Sequence, residues 1–300
     1  MSLSRVFGCT SQNGKFMIIS SCRSVDARKN KRLKKKNGKR KKTISHSDVD
    51  DTQPDEFGQV KKERIWELDA FRGIAIIGVV IVHLIFDLTY FLDMNVKTPA
   101  WFDFIQENGG VLFIILSGIC VTLGHSFLKR GFIVLGAGLV ITWVTYVMYL
   151  TGLAGKDIVI YWGILHLLGF CMILYGLIKK IPLYVLPAVA VLLIVSGYII
   201  TKKAYDLNGF ARILAIFGFV PYGFVTGDYF PVLPHLGWFI TGVFLGRTLY
   251  KKQVSLLPKV PYKALPVRIL SFIGRHSLII YLLHQPVISG IVAIAASLKH

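Results

Sequence analysis

Long apolar segments separated by short polar ones dominate the chain from residue 71 onwards. A helix rises about 1.5 Å per residue, so about twenty apolar residues cross the roughly 30 Å hydrocarbon core of a bilayer. Seven segments approach or exceed that length, whereas an eighth, 210–226, is weaker because it contains Arg212 and Pro221. The pattern predicts an all-α, polytopic transmembrane helix bundle of about seven spans plus one interfacial or re-entrant segment. The predicted spans are 71–92, 109–128, 132–150, 158–178, 181–200, 232–250 and 269–298.

The lysines and arginines between these segments predict an orientation. Loops on the cytoplasmic side of a membrane carry an excess of both residues. Three of the loops are basic. All three lie on the cytoplasmic side if the N-terminus is cytoplasmic and 210–226 lies along the outer interface or re-enters. The acidic loop 93–107 then lies outside, as do Lys202 and Lys203, which conflict with the rule. The basic loops contain Lys129 and Arg130, Lys179 and Lys180, and five lysines or arginines between 251 and 268.

The composition agrees with a membrane protein. Of the 300 residues 54% are hydrophobic, and the mean hydropathy of +0.58 excludes an ordinary soluble domain. The net charge of +19 is concentrated in residues 28–42, where eleven of fifteen are lysine or arginine. Residues 1–62 are too poor in apolar side chains to fold alone, so we expect a disordered, basic cytoplasmic tail that contacts anionic lipid. A transmembrane domain over 63–300 then follows, in the cell (plasma) membrane.

The sequence says less about nucleic acid, metal ions and other copies of the chain as partners. No aromatic residues are interleaved with the basic run of the tail, which argues against nucleic acid. The four cysteines lack metal-ligand spacing, so no metal site is predicted. The sequence leaves a homo-oligomer open.

The first apolar segment carries four ionisable residues on one side. At about 100° per residue, Arg72 and His83 fall within roughly 20° of each other. Asp69 and Asp87 lie on the same side, each roughly 60° from Arg72. Such groups are costly in lipid, so they indicate a functional site facing the bundle interior. His83 and Asp87, one turn apart in the outer half of the helix, are the predicted acid–base pair; the alternative is a basic anchor with one hydrogen-bonded core histidine.

Other apolar segments contain weaker candidates for substrate contact. His166 lies in the fourth predicted span, and His284 shares a helical face with Tyr281 in the last one. For both histidines, a structural hydrogen bond between helices is an equal alternative. Asp228 precedes the sixth predicted span and is a further candidate contact, as is His235.

The intramembrane charges fit two functions, a membrane enzyme or a proton-coupled transporter with the same polar groups along its pathway. No internal repeat at half the chain length is evident, which weakly favours the enzyme. The common nucleotide-binding and hydrolase motifs are absent from the sequence.

Five ordered motifs resemble the catalytic domain of the heparan-alpha-glucosaminide N-acetyltransferase family, from about Arg64 onwards. The first motif is also similar to the wider membrane acyltransferase-3 group, in which the equivalents of Arg72 and His83 are regarded as functional. His235 stands where the family pattern leads us to expect tryptophan. The motifs are LDAFRGIAIIGVVIVH (68–83), LFIILSG (112–118), YWGILHLLG (161–169), DYFPVLP (228–234) and IGRHSLIIYLLHQP (273–286).

The resemblance implies an acetyl-CoA-dependent membrane acyltransferase that moves an acetyl group from cytosolic acetyl-CoA to an extracytoplasmic sugar, at an amine or a hydroxyl. It implies a donor side at Arg72 and Asp69, where the guanidinium would contact a donor phosphate. The acceptor side would lie at His83 and Asp87. A chain with a single catalytic region resembles prokaryotic relatives, so we expect a cell-envelope or polysaccharide sugar as acceptor rather than heparan. Residues expected to contact the acceptor are His166, His284, Tyr281 and Asp228.

Overall fold

The computed structural model describes residues 65–92, 98–257 and 264–297 and is mostly α-helical, as the apolar pattern predicts. Two 3-10 helices, Lys156–Ile158 and Gly209–Phe217, and the parallel pair of strands β1 (Ala204–Tyr205) and β2 (Val220–Pro221) complete its regular structure. The predicted basic tail lies outside the described residues. The α-helices are α1 (Trp66–Leu92), α2 (Ala100–Leu123), α3 (Phe127–Leu150), α4 (Ile164–Ile178), α5 (Leu186–Thr201), α6 (Val232–Leu249), α7 (Leu265–Arg275) and α8 (Ser277–Ser297).

Within the described ranges, three helices are long and apolar enough to cross a membrane, namely α1, α2 and α3. Helices α7 and α8 form a fourth candidate as a pair, bent by 80°. Helices α4 and α5 are apolar but contain only 15 and 16 residues. At the usual rise they are each about 23 Å long, shorter than the hydrocarbon core. The number of about seven spans therefore stays a prediction.

Four predicted segments can be compared with the structure. The prediction of a loop over 93–107 is wrong for its second half, because α2 begins at Ala100, nine residues before the predicted span 109–128. The segment 210–226 contains the second 3-10 helix and β2 but no α-helix, which agrees with a segment that does not span. The predicted span 158–178 is α-helical only from Ile164, because residues 159–163 lie outside any helix and Trp162 pairs with Tyr229. The predicted span 269–298 is not a single helix, because the chain bends by 80° at His276, between α7 and α8.

The helices alternate in direction along the chain. Helices α1, α3, α5 and α8 run one way, whereas α2, α4 and α6 run the other way. Most contacts between neighbouring helices lie at glycines that have no room for a side chain. Small residues are common at helix contacts in membranes for the same reason. The pairs of contacts that define direction are Ile115–Gly242 and Ile119–Gly246 for α2 and α6, Gly131–Ile173 and Gly138–His166 for α3 and α4, and Ala190–Gly237 and Gly197–Pro234 for α5 and α6.

The most buried part of the core lies where α2, α4 and α6 pack together. Ile114, Leu167 and Phe239, one from each helix, are completely inaccessible to solvent. Gly118 on α2 lies directly against the backbone of α6 at Phe239, so these two helices are in backbone contact. This core fixes the frame onto which α1 and α8 pack.

Candidate active site

Two histidines from different helices meet inside the bundle. The ring centroids of His83 on α1 and His284 on α8 are 4.9 Å apart, and their planes are tilted by 58°. His284 is buried and His83 is partly buried. Helices α1 and α8 are parallel here, because Asp87, one turn beyond His83, contacts Ser289, just over one turn beyond His284. The structure thus brings together two residues that the sequence places about 200 positions apart.

The hydrogen bonds of His284 define its neutral form. Its Nδ1 lies 2.7 Å from the carbonyl oxygen of Tyr281, which can only accept, so Nδ1 carries the proton. The other nitrogen, Nε2, then has a lone pair. It is buried and has no hydrogen-bond partner within the described part of the chain. Since buried polar atoms are nearly always paired, this nitrogen is available to accept a proton or to attack an acyl group.

Asp87 anchors the histidine pair from the side of α1. Its carboxylate is 1% exposed and accepts hydrogen bonds from Ser289 Oγ at 2.9 Å and from Gln285 Nε2 at 3.2 Å. The sequence paired Asp87 with His83, whereas the hydrogen bonds that the structure gives it come from α8. This contact holds α1 and α8 in the register that faces His83 toward His284. Sequence reasoning missed Gln285 and Ser289, although their i, i+4 spacing on an apolar helix was a signal.

His166 differs from His284 because both of its nitrogens are hydrogen-bonded. Its Nδ1 accepts from the backbone N–H of Gly163 at 3.2 Å, so Nε2 carries the proton. Nε2 lies 3.1 Å from Thr142 Oγ1, and this hydroxyl donates in turn to the carbonyl oxygen of Ile160 at 2.7 Å. The histidine therefore joins α3 to the start of α4. Neither nitrogen can contact a substrate unless one of these bonds breaks.

Asp228 lies at the N-terminus of α4, in the extended segment before α6. Its Oδ2 accepts a hydrogen bond from the N–H of Ile164 at 2.9 Å, which satisfies one of the free donors at this helix end. Gly163 has no space for a side chain because a Cβ would touch the same carboxylate oxygen. Burial raises the pKa of Asp228 to about 6, although the hydrogen bonds from Ile164 and Tyr229 act in the opposite direction.

Tyr281 connects Asp228 to the histidine pair. Its ring centroid is 5.3 Å from that of His284. On its other side it lines a cavity of about 10 Å³ together with Asp228 and His166. Such a volume holds about one water molecule. Five of the predicted site residues thus lie near one another, with His83, His284 and Tyr281 linked by ring contacts and Asp228 and His166 on the same small cavity as Tyr281.

The five sequence motifs come together in the structure. In the first and last motifs, Gly73 and Gly274 lie at the crossing of α1 and α7, where a Cβ on either would touch the backbone of the other helix. The third and fourth motifs pair through Trp162 and Tyr229, and the second packs its Gly118 against α6. The family model of the heparan-alpha-glucosaminide N-acetyltransferase catalytic domain matches residues 64–286.

The chain belongs to this family. The match covers most of the described residues and all five motifs, and it indicates a membrane acetyltransferase rather than a transporter. No curated protein and no solved structure matches the chain.

The opposite end of α1 in this N-acetyltransferase family member carries a second polar group. Arg72 and Asp69 form an ion pair at 3.9 Å, and their side chains are 27% and 20% exposed. Arg72 lies eleven residues before His83, which corresponds to about 16 Å along the helix. Glu67, one turn earlier, is buried and accepts hydrogen bonds from Ser255 Oγ and Leu256 N. The loop after α6 is therefore attached to this end of α1.

A wide cleft of this family member lies away from the histidine pair. It has a volume of about 480 Å³ and lies between α5, the segment before α6 and α6 itself. Most polar groups on its walls already have partners: Tyr229 Oη donates to Ala215 O at 2.6 Å, and His235 Nδ1 lies 2.8 Å from Pro231 O. The cleft therefore offers mostly apolar and aromatic surface, and His235 is not part of the histidine pair.

Proposed function

We propose that the protein is an integral-membrane acetyltransferase that moves an acetyl group from cytosolic acetyl-CoA to a sugar on the other side of the membrane. The family match supports the group that is transferred. The observation that carries the assignment of the site is the buried, unpartnered Nε2 of His284 beside His83. A buried basic nitrogen next to a second imidazole suits a reaction that removes and returns one proton.

In the proposed reaction, the acceptor amine or hydroxyl attacks the carbonyl carbon of the acetyl thioester. As the new bond to nitrogen or oxygen forms, Nε2 of His284 takes the proton of the attacking group. The carbon–sulfur bond then breaks, and the same proton passes to the sulfur, which leaves as the free thiol of CoA. While His284 holds this proton it is positively charged, and its hydrogen bond to the carbonyl oxygen of Tyr281 stabilises that charge. The carboxylate of Asp87 stabilises the positive charge of the histidine pair from the side of α1.

The donor is proposed to enter from the end of α1 that carries Arg72. A guanidinium suits the phosphates of CoA because it binds them with two parallel hydrogen bonds. Arg72 is partly exposed, and Asp69 orients its side chain. Since CoA carries its phosphates and its thioester at opposite ends, it can contact Arg72 and still present the acetyl group at His83.

We also propose seven crossings with a cytoplasmic N-terminus in the cell membrane. The alternating helix directions support an odd number of crossings, because α1 and α8 are parallel. The contact between Glu67 and Leu256 supports a shared side for the start of α1 and the loop before α7. Arg72 is then cytoplasmic, and the histidine pair lies toward the outside.

Radiolabelled acetyl-CoA added to the purified protein in liposomes tests this function. We expect label in an amino sugar or in a neutral sugar, and the comparison of the two acceptors decides between amine and hydroxyl. His83→Gln and His284→Gln should lower turnover by about 10²–10⁴-fold with unchanged donor binding, whereas Arg72→Ala should weaken donor binding. His125→Gln, in an exposed turn, is the matched control. Unchanged transfer in both histidine variants would exclude the pair, and label retained on His83 or His284 would indicate an acetyl-histidine intermediate.

A further inference from the structure

Helix α7 is too short to cross a bilayer and lies across the direction of the last helix. Its 11 residues span about 16 Å, about half of the hydrocarbon core. It meets α8 at an angle of 80°. With α8 along the membrane normal, α7 lies about 10° from the membrane plane.

One side of α7 is fixed against α1 and the other is open. Gly274 and Leu270 contact the backbone of α1 at Asp69 and Gly73. The opposite side presents three large apolar residues in one stripe at i, i+4 and i+7 spacing. These are Leu265, Ile269 and Phe272, which are 66%, 50% and 56% exposed.

Positive charge borders this apolar stripe. Arg268 and Arg275 are both exposed and lie seven residues apart along one flank of the helix. The guanidinium of Arg275 lies 5.9 Å from the ring of Phe272, so charge and apolar surface are adjacent. Helix α7 contains no acidic residue. A helix with an apolar stripe and a basic flank fits the boundary between anionic headgroups and acyl chains.

We propose that α7 is an in-plane interfacial helix that binds anionic phospholipid at the bilayer surface. Leu265, Ile269 and Phe272 enter the acyl boundary, while Arg268 and Arg275 contact headgroup phosphates. Neighbouring exposed lysines at the same end of the bundle, Lys251 and Lys252, add to the attraction. This surface does not depend on the acetyltransferase assignment, because it rests on the placement of α7 alone.

The depth of α7 in liposomes tests the proposal. In the full chain with its four cysteines replaced by alanine, Ile269→Cys is labelled with a nitroxide, and its accessibility to oxygen and to a water-soluble nickel chelate is measured. We expect a depth of about 5–10 Å below the headgroups in phosphatidylglycerol liposomes. Phe272→Cys, on the same stripe, should give a similar depth and serves as a second site if the first label disturbs folding.

The lipid charge forms the second arm of the experiment. The label should be shallower in phosphatidylcholine than in phosphatidylglycerol, and Arg268→Gln with Arg275→Gln should abolish that difference. Lys202→Gln with Lys203→Gln, which removes two exposed charges at the end of α5, should preserve it. A label at the bilayer midplane would overturn the proposal in favour of a broken span. Spin–spin broadening between labels would overturn it in favour of a second copy of the chain.

Discussion

Backbone partners decide which histidine of this protein is chemically available. Gly163 donates to Nδ1 of His166, whereas Nδ1 of His284 donates to the carbonyl of Tyr281. The two rings therefore carry their protons on opposite nitrogens. His166 then uses its second nitrogen on Thr142, and His284 leaves its second nitrogen without a partner in the described structure. Reactivity follows from these local hydrogen bonds and not from burial, which both histidines share.

Asp228 gives a pH dependence of stability that can be measured. Its pKa in the folded protein is about 6, raised by burial from an ordinary value of 3.8. The folded state therefore holds this proton more tightly than the unfolded state does. Stability should fall as the pH rises from about 4 to about 6 and should level off above that range. In Asp228→Asn, unfolding temperatures measured in detergent between pH 4 and 7.5 should fall less than in the wild type.

The control for this prediction is Asp157→Asn, which removes an exposed carboxylate from the 3-10 helix before α4. It should reproduce the pH profile of the wild type. Equal slopes for the wild type and Asp228→Asn would show that Asp228 does not titrate in this range. The amide of asparagine can still accept from Ile164, so the comparison isolates the proton.

At the residue scale, the sequence could predict which face of a helix a side chain lies on, but not which distant residue it contacts. Helical geometry placed Arg72, His83 and Asp87 on one side of α1, since that depends only on spacing. The hydrogen bond from Ser289 to Asp87 joins residues 202 positions apart, and no local pattern encodes it. The free nitrogen of His284 depends in the same way on its local backbone geometry and on its packing against α1.

Among the elements, the crossing of α1 and α7 depends on two glycines. A Cβ on Gly274 would touch the carbonyl of Asp69, and one on Gly73 would touch the carbonyl of Leu270. Gly274→Ala must therefore separate two backbones, and a cost of about 1–3 kcal/mol is typical of overpacking. We expect a lower unfolding temperature and, since Asp69 and Arg72 lie at the crossing, weaker donor binding.

Gly290→Ala is the matched change on the neighbouring helix α8. A Cβ at this position would meet no atom within 4 Å, so alanine should be neutral or slightly stabilising. Thermal unfolding of the two variants in one detergent gives the comparison. An unfolding temperature for Gly274→Ala equal to that of Gly290→Ala would contradict the close crossing.

Glu67 attaches the loop 251–257 to the start of α1. Its buried carboxylate accepts from Ser255 Oγ at 2.9 Å and from Leu256 N at 2.7 Å. In Glu67→Ala these donors lose a charged partner, a loss worth about 1.5–3 kcal/mol for such a bond. Local opening should increase about 10-fold or more, and trypsin should cleave faster after Lys251 or Lys252.

Mass spectrometry of the resulting fragments separates these cuts from cuts elsewhere in the chain. Glu107→Ala, an exposed change on α2, should leave the cleavage rate unchanged. Glu67→Gln retains an acceptor and should give an intermediate rate. If Glu67→Ala is cleaved at the wild-type rate, the carboxylate does not hold the loop.

The lengths of the apolar segments predicted the locations of the helices better than they predicted the helix ends. The pattern located α1, α2 and α3 but extended α4 back to residue 158, because hydropathy does not distinguish an extended apolar segment from a helix. The segment 269–298 is apolar on both sides of the short polar stretch 274–277, and the apolar length alone did not show that this stretch breaks the helix. Both differences result from tertiary contacts, with Tyr229 in one case and with α1 in the other.

The whole bundle has a chemical polarity along its axis. One end contains Arg72, Glu67 and the lysines after α6, while the other contains Asp87 and Asp228 together with Lys202 and Lys203. The connection between Arg247 and the carbonyl of Ile181 shows that α4 and α6 end on the same side as each other. The proposed transfer across the membrane needs two chemically different ends, because its donor and acceptor would approach the histidine pair from opposite ends.

This polarity predicts the side of each loop. Lys252 should be cytoplasmic, since its loop is joined to the start of α1, and Gly152, after α3, should be outside. In a chain whose own cysteines are replaced, Gly152→Cys should react with a membrane-impermeant maleimide in intact cells, whereas Lys252→Cys should react only after permeabilisation. Both positions are exposed, so lack of reaction reports the membrane rather than burial. Labelling of Lys252→Cys in intact cells would reverse the orientation and would place Arg72 on the side away from cytosolic acetyl-CoA.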